Sequence, residues 1–435
     1  MLLTGPIHHR KNSLSLLGGV CIAPERYREY MKDLLNTLAL LFMTVTCIAQ
    51  TTIDKGWEAW EKANYTEAEK AADKFIDTDE GKHLKGNLLQ IRGAYDDAIK
   101  NYEQISSEYE KYESVVASMV TIQVFHIQNL TRAKELAKHL DDEKKSIYAN
   151  AINNSIEVDC SGSFKVGMNE KHMLNKYIPI VPGLINGTEQ NIAFDTGGNY
   201  LVLSKNAAET MNIAFDTSLY FLGQQGFGTS KMYVGEIDEL VLGTEVKLKH
   251  VPVTILEEMN TEIIIFGTNV IKEFYTTIDY PNNQFVFTTK DRADLIEKHK
   301  KVYEGATMSF AMWGDHYMMG KGKYNDKEVN MFFDSGLVVI GGVDGVATQS
   351  WLCMSKDKMK ELKIKEHEDT GKLKVTGTND ILSFAGIENK NVAFSEGSSD
   401  GLSFGGVECD LLISHGIISK YAWTIDFETM TYSFK

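Results

Sequence analysis

The hydrophobic pattern of the chain changes its period near residue 156. From about residue 52 to residue 150, apolar residues recur at the 3.6-residue spacing of amphipathic helices, in a segment that is rich in Ala, Glu, Lys and Leu and lacks Pro. After Ile156, short alternating runs bounded by glycine turns are typical of β-strands. The pattern therefore predicts an α-helical region followed by an all-β region.

The N-terminus has the features of an export signal. In residues 31–49, a basic residue follows Met31, a short apolar stretch comes next, and small residues lead to Ala49. We expect cleavage after Ala49 and a periplasmic or extracellular protein. Lipid attachment at Cys47 and a buried N-terminal helix are the less favoured alternatives. Residues 1–30 carry no periodicity and form a doubtful leader ahead of a plausible start at Met31.

Three similar stretches recur within the helical region. They place Ala68, Ala98 and Ala133 at corresponding positions, with offsets of 30 and 35 residues. This spacing is close to the 34-residue helix–turn–helix period of tetratricopeptide repeats, which the turn-then-Ala pattern resembles. The resemblance implies a helical domain over residues 50–155. Such an array packs against a partner protein or a neighbouring domain.

Composition excludes several classes of function. With 45 Lys and Arg against 60 Asp and Glu, the net charge is −15, which argues against a nucleic-acid partner. No apolar run long enough to span a membrane occurs after residue 50. The five cysteines are too few for a disulfide scaffold, and the histidines form no zinc-binding motif, so a zinc hydrolase is not expected. No metal or organic cofactor is implied.

Two segments of the β region share one order of features. In the first, a hydrophobic strand, a turn and a second strand lead to Asp195, followed by Thr196 and Gly197. In the second, the same order leads to Asp334, followed by Ser335 and Gly336, at a distance of 139 positions. The stretch Phe215-Asp216-Thr217-Ser218 nearly matches these loops but lacks the glycine, and it is expected to be structural.

The two segments also end alike. The closing stretches that begin at Ile263 and Leu411 align without a gap when Phe274 is matched with Tyr421. The match pairs one Ile-Asp dipeptide with another 147 positions later. An internal doubling of roughly 140–150 residues, with a few residues inserted in the second copy, is the simplest explanation.

The doubled Asp-Thr/Ser-Gly loops and their closing segments resemble the retropepsin and pepsin family of aspartic proteases. The resemblance covers roughly residues 160–435 and implies an all-β, two-lobed acid protease fold after the helical domain, with lobe 1 at 156–292 and lobe 2 at 293–435. It further implies a monomer whose Asp195 and Asp334 form a dyad within one chain, and a polypeptide substrate.

Peptide hydrolysis requires a base that activates water and an acid that protonates the departing nitrogen. Two carboxyls held close together cannot both ionise, so they share one proton and supply both functions. The family resemblance implies that Thr196 and Ser335 hydrogen-bond across the dyad. It also implies that Gly197 and Gly336 let the backbone pass tightly.

The family also has a mobile hairpin, the flap, that folds over the substrate. Its counterpart is expected around Gly226, Phe227 and Gly228, with Tyr233 or Phe227 in place of the flap tyrosine. The alternative interpretation is that these glycines only end a hairpin.

Three departures from the family pattern leave a second hypothesis open. Gly198 and Leu337 follow the two glycines where small or hydroxyl residues are usual, and Ser414 stands where the first copy has Gly267. The alternative is a catalytically inactive pepsin-like scaffold whose helical repeats bind a protein or peptide. A purely helical adaptor is the third alternative, although it leaves the doubled loops without a role.

Overall fold

The computed structural model of the protein describes residues 53–225, 228–259, 263–343, 346–364, 373–375, 380–396, 402–404 and 406–435. The predicted export signal at 31–49 and the doubtful leader at 1–30 lie outside these residues, as do Gly226 and Phe227.

Helices dominate the first part of the described chain, as the 3.6-residue period predicts. They are α1 (53–61), α2 (Tyr65–Lys74), α3 (Asp79–Ile91), α4 (Tyr95–Tyr102), α5 (Tyr112–Thr121), a π-helical turn (Ile122–His126), α6 (Leu130–Ala137) and α7 (Glu143–Ala151).

The three aligned alanines have matching environments. Ala68, Ala98 and Ala133 lie in α2, α4 and α6, and all three are fully buried. The turn before α2 ends at Asn64 and the turn before α6 ends at Asn129. The side chain of each asparagine accepts a hydrogen bond from an amide of the first helical turn. Small side chains at these positions allow neighbouring helices to approach closely.

The remainder of the described chain is largely β. The strands are β1 (Glu157–Val158), β2 (Ser163–Gly167), β3 (Ile180–Ile185), β4 (Thr188–Phe194), β5 (Leu201–Ser204), β6 (Ala214–Phe215), β7 (Phe221–Gln225), β8 (Gly228–Leu242), β9 (Val246–Leu256), β10 (Ile264–Phe266), β11 (Phe274–Asp279), β12 (Gln284–Thr289), β13 (Ala306–Trp313), β14 (Tyr317–Tyr324), β15 (Lys327–Asp334), β16 (Ile340–Val343), β17 (Val346–Gln349), β18 (Leu352–Met354), β19 (Leu373–Val375), β20 (Ile381–Phe384), β21 (Ile387–Lys390), β22 (Ala393–Glu396), β23 (Leu402–Phe404), β24 (Val407–Cys409), β25 (Leu411–Ser414), β26 (Ala422–Asp426) and β27 (Thr431–Phe434).

Short helices connect some of these strands: α8 (Lys205–Thr210), α9 (Thr268–Ile271), a 3₁₀ turn (Tyr280–Asn282), α10 (Ala293–Val302), α11 (Lys356–Leu362) and α12 (His415–Ile418). Within the described residues, most strands belong to two large sheets. The nine-stranded sheet has the order β1-β9-β5-β10-β4-β3-β8-β6, with β7 paired to β8. The fourteen-stranded sheet follows the path β19-β22-β18-β25-β15-β14-β13-β27-β26-β11-β12-β2, and β20 and β21 lie beside it.

The two closing segments meet in the middle of the fourteen-stranded sheet. β11 pairs with β26 in antiparallel register, with Thr277 opposite Thr424, and their hydroxyl oxygens lie 2.6 Å apart. The gap-free alignment matches the same two threonines, so equivalent residues face each other as they do on a local two-fold axis. β12 and β27 flank this pair on its two sides.

The helical region shares a hydrophobic core with the nine-stranded sheet. Phe125 and Tyr148 of the helices pack with Tyr200, Phe221 and Leu256 of the strands in one buried cluster. Full burial of each such side chain contributes about 1.5–3 kcal/mol. The helices are therefore packed against the β region rather than held on a free linker. No helix among the described residues is both long enough and apolar enough to cross a membrane.

Candidate active site

Two acidic loops lie at the ends of two buried strands. The Asp195 loop (residues 195–198) follows β4, beside which β10 runs in parallel. The Asp334 loop (residues 334–337) follows β15, beside which β25 runs in parallel. Apolar side chains bury both strands, so the first polar residue at each strand end emerges where the sheet stops. The same local architecture therefore presents both aspartates.

Reciprocal hydrogen bonds join the two loops. The Thr196 hydroxyl donates to the Phe333 carbonyl at 2.6 Å and accepts from the Ser335 amide at 3.0 Å. The Ser335 hydroxyl donates to the Phe194 carbonyl at 3.2 Å and accepts from the Thr196 amide at 3.0 Å. Both side chains are fully buried, so loss of either hydroxyl would leave buried polar groups unpaired, at about 1–3 kcal/mol for each group.

The two carboxyl groups meet between the loops. A Cβ atom built at Gly197 would lie 3.0 Å from Oδ1 of Asp195 and 3.4 Å from Oδ1 of Asp334, so the two carboxyl groups border the same small space. The Gly197 amide donates to Asp195 at 2.7 Å, and the Gly336 amide donates to Asp334 at 3.0 Å. Both aspartates are partly exposed, so solvent reaches the pair. The structure thus brings together all six residues that the sequence assigned to the dyad and its support.

Burial raises the pKa of both carboxyls, but unequally. The pKa of Asp334 rises well above its usual range, because burial is reinforced by the negative charge of Asp195 and by the hydrogen bond to it. Burial also raises the pKa of Asp195, but the Gly197 amide, Asp334 and His316 oppose that rise. Two carboxyls that share a buried site hold a single proton between them, and of the two pKa values that of Asp334 is raised further.

Close approach explains the glycine at position 336. A Cβ atom there would lie 2.0 Å from Cγ of Asp195, so any side chain would displace that carboxyl. At Gly197 a Cβ would lie 3.0 Å from the Asp195 oxygen Oδ1, which is also tighter than ordinary packing.

The serine at position 414 has a structural explanation. In the first copy, a Cβ on Gly267 would lie 2.1 Å from the carbonyl oxygen of Gly198. In the second copy, the hairpin β16–β17 is inserted after the Asp334 loop and the chain takes another course. The Ser414 hydroxyl donates to the Ser350 carbonyl and accepts from the Gly416 amide at 3.0 Å.

Leu337 leaves both Asp195 and Asp334 partly exposed. Its carbonyl accepts a hydrogen bond from Gln349 at 3.1 Å, and its backbone amide lowers the pKa of Asp334 slightly against the larger effect of burial. Leu337 is itself partly exposed.

The expected flap corresponds to the hairpin of β7 and β8. The register runs from Phe221 opposite Met232 to Gln225 opposite Gly228, so Gly228 begins the second strand. Gly226 and Phe227, at the tip, lie outside the described residues. The side chain of Tyr233 is buried, its hydroxyl donates to the partly exposed Glu257, and its ring packs 5.5 Å from Phe215. The structure does not bring Tyr233 to the carboxyl pair.

Sequence reasoning missed three residues beside the pair. His316, just before β14, lies with Nε2 2.9 Å from the carbonyl oxygen of Gly197 and Nδ1 2.8 Å from a carboxylate oxygen of Asp315. Lys144 of α7 pairs with the other carboxylate oxygen of Asp315 at 3.3 Å. Lys144 and Asp315 are 171 positions apart, and no motif joins them.

Among the described residues, no group of three or more His, Cys, Asp or Glu side chains is arranged to hold a metal ion.

Residues 181–273 match the family model described as gag-polyprotein putative aspartyl protease. The matched segment contains the Asp195 loop, β10 and α9, whereas Asp334 lies outside it. A retropepsin-like aspartic protease from Rickettsia conorii is similar at 17% identity over 31% of this chain and 91% of that chain, with a TM-score of 0.22. Comparison with curated proteins yields no significant match. The family match supports a retropepsin-like aspartic protease domain, as the resemblance predicted.

Proposed function

We propose that the protein is an aspartic endopeptidase in which Asp195 and Asp334 together activate a water molecule. The close approach of two carboxyl groups between two reciprocally joined loops is the observation that carries the proposal. A structural carboxylate would be expected to pair with a cation or with several donors. Here two carboxyls face each other at a place that water can reach.

The asymmetry of the pair suggests the course of the reaction. The Asp195 carboxylate takes a proton from water as the oxygen attacks the peptide carbonyl, while Asp334 donates its proton to the carbonyl oxygen. Proton transfer to the nitrogen then allows the C–N bond to break. The products are a carboxylic acid and an amine, and the shared proton returns to the pair. The two groups and water suffice, so the proposal includes no cofactor.

A two-lobed, pepsin-like monomer is the architecture we propose for this chemistry. The pairing of Thr277 with Thr424 and the exchange of hydrogen bonds between Thr196 and Ser335 support an internal doubling with a local two-fold axis. An extended polypeptide would lie under the β7–β8 hairpin and bind by strand-like backbone hydrogen bonds. Export to the periplasm or the extracellular space, and tetratricopeptide-like repeats that bind a further protein, remain parts of this proposal.

The proposal is tested by incubating the full chain with a reduced, alkylated polypeptide in water enriched in oxygen-18. We expect cleavage that pepstatin blocks and EDTA does not, with one heavy oxygen in each new carboxyl terminus. Cleavage that resists pepstatin, or no cleavage between pH 4 and pH 8, would contradict the proposal and favour the inactive scaffold.

A further inference from the structure

The turn between β13 and β14 inserts a histidine against the Asp195 loop. Nε2 of His316 lies 2.9 Å from the carbonyl oxygen of Gly197, which can only accept a hydrogen bond. Nδ1 lies 2.8 Å from Oδ1 of Asp315. His316 is almost completely buried, so water does not replace either contact.

Asp315 is ionised in this setting. Burial alone would raise its pKa, but the positive charge of Lys144, together with the hydrogen bond to His316, more than offsets that effect and holds the pKa well below its usual range. Oδ2 accepts from Lys144 at 3.3 Å and from Asn199 at 3.3 Å. An ionised carboxylate is an acceptor only, so Nδ1 of His316 must donate to it.

The two contacts of His316 together define its charge. Each ring nitrogen faces an acceptor, and a neutral imidazole has only one N–H. The doubly protonated ring is the form that satisfies both contacts, and it places a positive charge beside the Asp195 carboxyl.

We propose that Lys144, Asp315 and His316 form a charged relay through which the helical region positions the Asp195 loop and holds the negative charge of the carboxyl pair on Asp195. This inference rests on the proposed endopeptidase function and deepens it. Lys144 belongs to α7, so the helices contribute a residue to the active-site surroundings. Lys144, Asp315 and His316 act on Asp195 through the Gly197 backbone and through the local electric field. They are therefore positioning residues.

Other titratable groups also surround His316. The Tyr317 ring lies tilted by 38° against it, with ring centroids 3.9 Å apart. Both carboxyls of the pair interact electrostatically with Tyr317, and that of Asp195 also interacts with His316. His126 contacts the carbonyl of Gly314 at the start of the same turn, and burial lowers its pKa to about 3, so it remains uncharged. The ammonium group of Lys272, beside His126, donates to the Phe125 carbonyl and to Oδ1 of Asn269. Among these neighbours, His316 is the positive group that directly contacts the Asp195 loop.

The test is the pH profile of kcat/KM for a peptide substrate. His316→Gln removes the charge and keeps a hydrogen-bond donor, so the acid limb, where the pair acquires its negative charge, should move up by about one pH unit. Asp315→Asn should move it in the same direction, and the double variant should add little further shift. Lys144→Met should give a smaller shift of the same sign.

Lys145→Met is the matched control, because Lys145 neighbours Lys144 on α7 but pairs with Asp142. It should leave the profile unchanged. A merely structural role would lower activity without moving the acid limb. If the acid limb of the pH profile keeps its position in His316→Gln, Asp315→Asn and Lys144→Met, the proposal is therefore overturned.

A second measurement does not depend on activity. In protein labelled with nitrogen-15 histidine, the signals that disappear in His316→Gln should come from a ring protonated on both nitrogens. A neutral ring would overturn the relay even if the enzyme cleaves peptides. If the wild-type protein cleaves no peptide and the His316 ring is nevertheless doubly protonated, the charge of the relay is supported and the endopeptidase function is contradicted.

Discussion

Replacing Asp195 or Asp334 by asparagine is expected to lower kcat/KM for an unfolded polypeptide by about three orders of magnitude. An amide of the same shape can neither take a proton from water nor deliver one to the departing group, and each of these functions accounts for about 10²–10⁴ in rate. The fold should persist, because asparagine oxygen still accepts from the Gly197 or Gly336 amide. Initial rates with a fluorogenic peptide, together with thermal unfolding of each variant, provide the measurement.

Asp216→Asn is the matched control for these variants. Asp216 begins an Asp-Thr pair without the glycine, and its exposed carboxylate accepts from the amide and hydroxyl of Ser218. We expect unchanged kcat/KM, since this local turn does not reach the carboxyl pair. If Asp195→Asn and Asp334→Asn both keep more than a tenth of the wild-type rate, the pair does not carry the chemistry.

The second large expected effect is a loss of folding stability at acidic pH. Burial lowers the pKa of four histidines: that of His83, His299 and His415 to about 4, and that of His126 to about 3. In the unfolded chain each has a pKa of about 6.5. Below that pH the unfolded state binds more protons than the folded state, so stability is lost as the pH falls from 6.5 towards 4.

The expected loss of folding stability is large for a folded domain. Each of these histidines costs up to about 1.4 kcal/mol per pH unit below 6.5, so the four together reach about 5 kcal/mol near pH 5.5. That is comparable with the whole stability of many proteins, about 5–15 kcal/mol. The raised pKa values of Asp334 and Asp195 act in the opposite direction, because acid favours their protonated folded forms, but they are two groups against four. We therefore expect a protease that works near neutral pH.

Thermal unfolding between pH 7.5 and pH 4.5 measures this effect. The midpoint should fall steeply below pH 6.5, and His415→Phe should flatten the fall. Nδ1 of His415 has no hydrogen-bond partner and its ring meets the ring of Tyr280 edge-on, so phenylalanine fits the site. His139→Gln, at an exposed position, is the control that should change nothing. A midpoint that stays level down to pH 4.5 would contradict the prediction.

The parts of the site that lie within one stretch of chain could be predicted from the sequence. Asp195 and Asp334 are recognisable because each follows a buried strand and precedes a glycine that close packing requires, as the 2.0 Å approach at Gly336 shows. The gap-free alignment of the closing segments matches Thr277 with Thr424, and the structure places these two residues opposite each other.

The parts that depend on contacts between distant segments could not be predicted. No local pattern indicates that Lys144 of a helix meets Asp315 of a turn, and His316 read as the first residue of a strand. Ser414 appeared to be a defect because the inserted β16–β17 hairpin, which removes the need for glycine, had no signal of its own. Successive side chains of β8 point to opposite faces of the sheet, and the sequence alone does not decide which face, and therefore whether Tyr233, is buried.

The most direct measurement is a crystal structure of the full chain with pepstatin, whose hydroxyl takes the place of the attacking water. We expect that hydroxyl within hydrogen-bond distance of the carboxyl groups of both Asp195 and Asp334, with the inhibitor extended beneath the β7–β8 hairpin. An inhibitor bound elsewhere, or two aspartates too far apart to share one hydroxyl, would contradict the central claim that these carboxyls act on a single water molecule.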